Sequence, residues 1–310
     1  MSWSSYWQQG HITSFGESLQ KTYTGEIREY WMKALADISV GSHILDLASG
    51  NGALAILIQE LTNDKSLSII GVDKAQVITP DVEGVRLQSG IELCSLPFES
   101  ESFDFVCSQF GFEYSEWNKS GPDCLRVLKV GGVMNLFMHS TDSFVVKRNH
   151  DIEALLSDAI VTEIFVLCRN LVELMGDVSS PADIATIKAS SECERLRLSI
   201  LENLDKLNRK LPAAFIDSEI GRCVQYLFTT ALCWNVSRKC QYIEDSKRIL
   251  KQQLSRLEDL SSAALTESQV DEIISLMDSQ GAVLVSKHKV RVHSTGEAIG
   301  WGVCFRKKRR

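Results

Sequence analysis

No apolar run in this 310-residue chain approaches the roughly 18 residues that a helix needs to cross a bilayer. A helical membrane span is therefore not expected. The first residues, Met-Ser-Trp-Ser-Ser-Tyr-Trp, lack a basic stretch followed by an apolar one, so export is not expected either. Paired cysteines are also missing. The nine cysteines show no CxxC spacing and no histidine at ligand distance, which argues against a disulfide framework and against a metal centre. They read as small reduced core residues of a cytoplasmic protein. Acidic residues outnumber basic ones, 40 to 33. A formal net charge of −7 and a pI near 5.5 disfavour nucleic acid as a partner, because a polyanion calls for a basic face. The one basic run, residues 306–310, reads as a solvated tail behind the last strand.

What is present is an ordinary globular composition, 44% hydrophobic and 24% charged, in a chain long enough for one extended domain or two small ones. Its organising stretch is residues 43–55. Residues 43–47 form a short apolar run suited to a buried parallel strand, and from Ala53 onward Leu54, Ile56, Leu57, Ile58 and Leu61 recur at helical spacing. Very small residues lie between. Gly50 and Gly52 allow a ligand to approach the main chain, and the helix start points free N–H groups at it. The spacing also fits the dinucleotide pattern G-x-G-x-x-G/A, and a dehydrogenase is a minor reading. Asp46 decides between them: a carboxylate below the turn repels a pyrophosphate and favours a cationic ligand.

The run Asp46-Leu47-Ala48-Ser49-Gly50-Asn51-Gly52 resembles motif I of the class I S-adenosylmethionine-dependent methyltransferases, usually D-x-G-x-G-x-G, with Ala48 in place of the first glycine. Four further stretches follow in the family's order, of the methyltransferase-11 and UbiE-like kind. The strand over 67–73 ends in Asp73. Glu92-Leu93-Cys94-Ser95-Leu96-Pro97-Phe98 is similar to D-A-x-x-L-P-F, and Ser102-Phe103-Asp104-Phe105-Val106 to S-F-D-x-V. Arg126-Val127-Leu128-Lys129-Val130-Gly131-Gly132 is similar to R-V-L-K-P-G-G. The resemblance implies an α/β fold: a doubly wound, mostly parallel seven-stranded sheet in the order 3-2-1-4-5-7-6, its last strand antiparallel. It implies S-adenosylmethionine as cofactor, released as S-adenosylhomocysteine. Asp46, Ala48, Ser49, Gly50 and Gly52 would hold the methionine and sulfonium end, Asp73 the ribose, Glu92 and Leu93 the adenine. Lys74 could lay its stem on the adenine, and Ser108 and Gln109 would face the methionine part.

Outside these motifs, residues 1–40 read as an N-terminal helical and lid segment, with a helix over 26–36. The mixture Tyr6, Trp7, His11, Phe15 and Gly16 fits a loop laid over a ligand. Residues 41–142 are the cofactor-binding core. Residues 143–263 read as helices, over 151–175, 181–211, 213–234 and 237–260, inserted after the fifth strand as a cap or as the interface of a homodimer. Residues 264–310 complete the core with a capped helix at Thr266 and two strands. Methyl transfer needs the acceptor held in line, water excluded and a proton removed when the nucleophile is neutral. His11, His139 and His150 are the candidate bases, with Tyr114 and Asp142 behind them. Tyr6, Trp7, His11, Phe110, Glu113 and Tyr114 are the candidate acceptor contacts. Tyr226, Phe228 and Trp234 are further aromatics of the insertion. A small or medium organic acceptor is the leading expectation. The alternatives are a protein or RNA methyltransferase docking through the insertion, and a non-catalytic cofactor-binding subunit.

Overall fold

A computed structural model describes residues 2–14, 22–62 and 66–308. Phe15 and Gly16 of the expected lid, and Arg309 and Arg310 of the basic tail, lie outside the described residues. In chain order the elements are α1 (Ser2–Gln8), α2 (Gly25–Ala34), β1 (His43–Leu47), α3 (Ala53–Leu61), β2 (Ser68–Asp73), β3 (Val85–Ser89), β4 (Phe103–Gln109), α4 (Trp117–Val127) and β5 (Leu128–Met138). A helical stretch follows: α5 (Phe144–Leu156), α6 (Ala159–Met175), α7 (Pro181–Ala189), α8 (Ser191–Lys210), α9 (Pro212–Asp217), α10 (Ile220–Phe228) and α11 (Val236–Ala263). The chain ends with α12 (Glu267–Ser279), β6 (Ala282–Arg291) and β7 (Ala298–Lys307). No helix among the described residues is long and apolar enough to cross a membrane. The chain divides into two compact units, Met1–Val146 with Asp259–Arg310, and Lys147–Glu258.

The first unit is built on one seven-stranded sheet in the order β3-β2-β1-β4-β5-β7-β6, as the motif order implies. β1 to β5 run parallel, and β7 is antiparallel to both neighbours. Strand alternation splits β1 between two apolar layers. Leu45 and Leu47 pack in the layer that contains Leu125, Val270 and Ile273 of α4 and α12. Ile44 packs in the layer that contains Ile27, Trp31, Leu54 and Ile58 of α2 and α3. Helices cover both faces, so β1 is buried from Ile44 onward and only its ends are open to chemistry.

The second unit is helical, with its own core of Ile164, Leu171, Ile200, Leu207 and Ile220. Here the breaks are finer than the apolar spacing suggests. The helix expected over 151–175 is two helices, because Asp158 turns its side chain onto the Ile160 N–H and starts α6. The stretch expected over 181–211 divides at Ser190, whose hydroxyl accepts the Cys193 N–H and starts α8. Glu219, in a left-handed conformation, separates α9 from α10. Polar caps interrupt an apolar periodicity that runs on through them.

The turn from β1 to α3 carries local strain. Ala48 stands at φ +51°, where a Cβ is crowded. Its methyl also dictates a residue on another strand: a Cβ on Gly111, just past β4, would lie 2.5 Å from the Ala48 Cβ. Replacing Ala48 with Gly should therefore stabilise the protein by about 0.5 to 1 kcal/mol, the relief of left-handed strain less the entropy returned to the unfolded chain. Gly111→Ala should destabilise it. Urea unfolding midpoints test both, and an unchanged Ala48→Gly midpoint would mean that the turn is relaxed.

Candidate active site

The C-terminal ends of β1, β2 and β4 bring the expected cofactor residues together. Asp46 is 1% exposed. The Ala55 N–H, in the first turn of α3, hydrogen bonds to its carboxylate, while Oδ2 is buried with no hydrogen-bond partner. Burial first, and the nearby negative charge of Asp73 second, push the Asp46 carboxyl well above its usual value. Asp73 is also raised, chiefly by burial, against the lowering effect of two N–H donors. Those donors are Gly50, at 2.8 Å to Oδ2, and Ala75, at 2.7 Å to Oδ1. Asp73 thus holds the glycine turn in place, a structural duty its expected ribose role did not include. Ser49 completes the tie from its own N–H to the Val72 carbonyl at 3.0 Å.

Two residues that the motif comparison passed over finish the turn. Asn51 is buried, and its amide donates to the carbonyls of Trp7 and His11, each at 2.8 Å, and accepts the Ile78 N–H at 2.7 Å. An amide set among small residues is the one local signal that could have marked it. Tyr23 is the other. Burial, then the charges of Asp46 and Tyr6, hold its phenol far above the ordinary value, so a protonated hydroxyl stands near the buried carboxylate. Nothing in its sequence neighbourhood points there.

Gly50 has a second role, because the Trp7 indole lies against it. A Cβ at Gly50 would come within 2.6 Å of that ring. Helix α1 therefore packs directly on the glycine turn, with Tyr6 and Trp7 buried beside Ala75. Tyr6 donates to the Thr13 carbonyl at 2.8 Å, and His11 stacks on the Tyr6 ring with centroids 4.2 Å apart.

At the tips of β2 and β3, Lys74 and Glu92 form an exposed ion pair at 3.0 Å, which holds the Glu92 carboxyl below its usual range. Leu93 beside it is buried in the core. At the end of β4, Ser108 is committed to structure: its hydroxyl donates to the Leu47 carbonyl at 3.0 Å and accepts the Phe112 N–H at 2.9 Å. Gln109 takes the Trp31 indole N–H on Oε1 at 2.5 Å and leaves Nε2 buried without a partner. Phe110 follows at φ +54°, an uncommon conformation for an aromatic residue. Its ring stacks on His139, with centroids 4.1 Å apart. Glu113 Oε1 accepts the His139 backbone N–H at 2.7 Å and lies 2.8 Å from His139 Nδ1. Tyr114 stands edge-on to the same imidazole at 6.0 Å and meets Trp3 of α1 edge-on at 6.0 Å.

Of the three histidines considered as bases, His139 alone sits among these strand ends. His11 belongs to the segment tied down by Asn51, and His150 is exposed on the part of α5 in the helical unit. Asp142 pairs with Lys289 at 2.5 Å, which holds its carboxyl low. Within the helical unit, Tyr226 packs against Trp234 and Tyr242 at 6.0 and 5.3 Å. Phe228 lines a groove of about 1010 Å³ there with Leu171, Ile200 and Leu204, and none of the expected cofactor residues lines it.

This sheet order, with a glycine turn after β1 and acids at the tips of β1 and β2, is the Rossmann-like arrangement that the motif resemblance implied. Residues 45–136, less than a third of the chain, match the family model described as a methyltransferase domain. A ubiquinone/menaquinone biosynthesis C-methyltransferase, UbiE, from Xanthomonas oryzae is 30% identical over 106 residues, 31% of this chain and 42% of that protein. A demethylmenaquinone methyltransferase from Thermus thermophilus is 27% identical over 132 residues, 39% of this chain and 54% of that protein. The chain spans less than half the length of the first of these relatives. Among solved structures, the 1,6-didemethyltoxoflavin-N1-methyltransferase of Burkholderia thailandensis, with 1,6-didemethyltoxoflavin and S-adenosylhomocysteine bound, covers 98% of this chain and 85% of its own, with 10% identity and a TM-score of 0.45.

The buried carboxylate makes a stability prediction. Because the Asp46 carboxyl titrates higher in the folded protein than in the unfolded chain, the unfolded state ionises first as pH rises. Stability contributed by this group is present in acid and is lost as pH climbs through the folded value. Asp46→Asn should therefore stabilise the ligand-free protein by about 1 to 3 kcal/mol, more at about pH 8 than at about pH 5. Thermal melts of both proteins across that range check it. A variant less stable at the higher pH would show that Asp46 is already compensated.

Proposed function

We propose that the protein is an S-adenosylmethionine-dependent methyltransferase that transfers a methyl group to a small or medium organic acceptor. The observation that carries this reading is the Asp46 carboxylate, buried, with Oδ2 unmatched and a second acid nearby at Asp73. A folded chain keeps an unmatched acid where a cation will supply the partner. The cofactor has such a cation in its ammonium and another in its sulfonium.

Asp46 and the main chain of Ala48, Ser49, Gly50 and Gly52 would hold the methionine end. Asp73 would take the ribose hydroxyls on the lone pairs that Gly50 and Ala75 leave open, since each carboxylate oxygen accepts more than one hydrogen bond. The Lys74–Glu92 pair and Leu93 would border the adenine, and Gln109 Nε2 offers a buried donor. When bound, the cofactor supplies an electrophilic methyl carbon on sulfur. The chain's own work is to exclude water and aim the acceptor. Helix α1 serves the first purpose, with Trp7 laid on Gly50 and Trp3 against Tyr114. Phe110, Tyr114 and the Glu113–His139 couple form an aromatic-walled acceptor face with a few polar groups. The Xanthomonas relative is a ubiquinone/menaquinone biosynthesis C-methyltransferase and the Thermus relative a demethylmenaquinone methyltransferase, which supports a small acceptor.

Calorimetry with S-adenosylhomocysteine tests the reading. Its ammonium stabilises ionised Asp46, whose carboxyl is raised in the free protein, so binding should release protons and tighten as pH rises. The observed heat should vary with the ionisation enthalpy of the buffer. Asp73→Asn, which keeps an acceptor oxygen but loses the charge, should weaken binding by about 1 to 3 kcal/mol. A folded protein that does not bind S-adenosylhomocysteine would overturn the assignment.

A further inference from the structure

The Glu113–His139 couple, to which the reading above gives no part in holding the cofactor, is almost fully buried at the strand ends, with side chains 0% and 2% exposed. Glu113 lies in the short turn Phe112–Tyr114 after β4, and His139 follows β5, so two paired strands deliver them to one place. One oxygen, Glu113 Oε1, meets both the main chain and the ring of the same histidine, at 2.7 and 2.8 Å. Two attachments to one residue leave the imidazole little freedom to turn. Phe110 covers one face of the ring with an interplanar angle of 27°, and Tyr114 closes the edge. Burial and the nearby charge of Glu113 keep the Tyr114 hydroxyl protonated. Glu113 Oε2 is buried with no hydrogen-bond partner.

Glu113 Oε1 already acts as an acceptor toward the His139 main-chain N–H. Its contact with Nδ1 therefore places the ring proton on Nδ1 and leaves the Nε2 lone pair for chemistry. A couple kept only for packing gains nothing from a buried acid with one oxygen unmatched, which costs stability.

We propose that His139 Nε2 is the general base of the reaction, that Glu113 is its positioning residue, and that the acceptor's attacking group bears an acidic hydrogen, as a phenol or an enol does. This rests on the methyltransferase reading above. The acceptor proton passes to Nε2, and the electron pair it leaves forms the bond to the methyl carbon, directly or through conjugation to a ring carbon. The methyl–sulfur bond breaks with its pair remaining on sulfur. The positive charge of the sulfonium donor is thereby moved to the imidazolium, where Glu113 faces it. A neutral amine already presents a lone pair and has no need of this couple.

The test begins with protein labelled with 15N at histidine and saturated with S-adenosylhomocysteine. Failure to bind would defeat the methyltransferase reading and is seen before the couple is examined. With ligand bound, the nitrogen shifts of His139 should report the neutral Nδ1–H tautomer, and Glu113→Gln, whose amide can also donate, should admit the Nε2–H form. An Nε2–H tautomer in the unaltered protein overturns the proposal. The second arm follows labelled methyl groups from S-adenosylmethionine into 4-nitrophenol, 1,3-cyclohexanedione and benzylamine. We expect transfer to the first two. His139→Gln should lower kcat by about 100-fold or more, with KM within about threefold and S-adenosylhomocysteine affinity unchanged. Glu113→Gln should lower kcat by about tenfold with the same split. Preferential methylation of benzylamine, no transfer to either oxygen acid, or an unchanged kcat in His139→Gln would each overturn it.

Discussion

The constraint on which the first unit depends is the placing of two acids, Asp46 and Asp73, at adjacent strand tips with too few donors between them. Asp46 receives an N–H from the start of α3, Asp73 receives those of Gly50 and Ala75, and one oxygen of Asp46 is left unmatched. Such an arrangement costs free energy in the absence of a cation. Much of the surrounding structure serves to hold it. Gly50 is fixed by Asp73 on one side and overlaid by Trp7 on the other, Asn51 ties the turn to α1 and to residue 78, and the Tyr23 hydroxyl stands near the carboxylate. The burial of the two acids and the geometry of the turn are one problem here, solved by the same few residues.

A similar economy governs the end of β4. Ser108 spends its hydroxyl on joining β1 to the following turn, which sets Phe110 in its left-handed conformation and swings Glu113 back toward β5. Gly111 is small because Ala48 stands against it, so the alanine that departs from the motif in β1 is accommodated by a residue some sixty positions later. The cluster at the strand ends is thus an outcome of how β1, β4 and β5 are laid side by side. Each strand contributes one or two groups: Asp46 from β1, Gln109 and Phe110 from the end of β4, His139 from the end of β5.

The helical unit obeys different rules. Its core is apolar at helical spacing, and its boundaries are set by Asp158, Ser180 and Ser190, whose side chains take the first N–H groups of the helices that follow. Its ion pairs are largely exposed and lie within single helices, as with Arg197 and Glu194 or Arg209 and Asp205, and they add little to stability.

The amino-acid sequence by itself determined the sheet, its strand order and the group of residues at the glycine turn. Buried parallel strands, small turns and acid tips are local patterns, and their spacing along the chain survives in the order of motifs from Asp46 to Gly132. It also marked Glu113 and His139, though as separate candidates for different tasks. Only the tertiary structure decided that they form one couple, that Asn51 and Tyr23 attend the same turn, that Trp7 lies on Gly50, and that Ser108 is occupied in holding strands together. The physical reason is that a hydrogen bond or a ring contact between residues far apart in sequence leaves no periodicity and no spacing to read. It exists only once the sheet has set the strand ends a few ångströms apart.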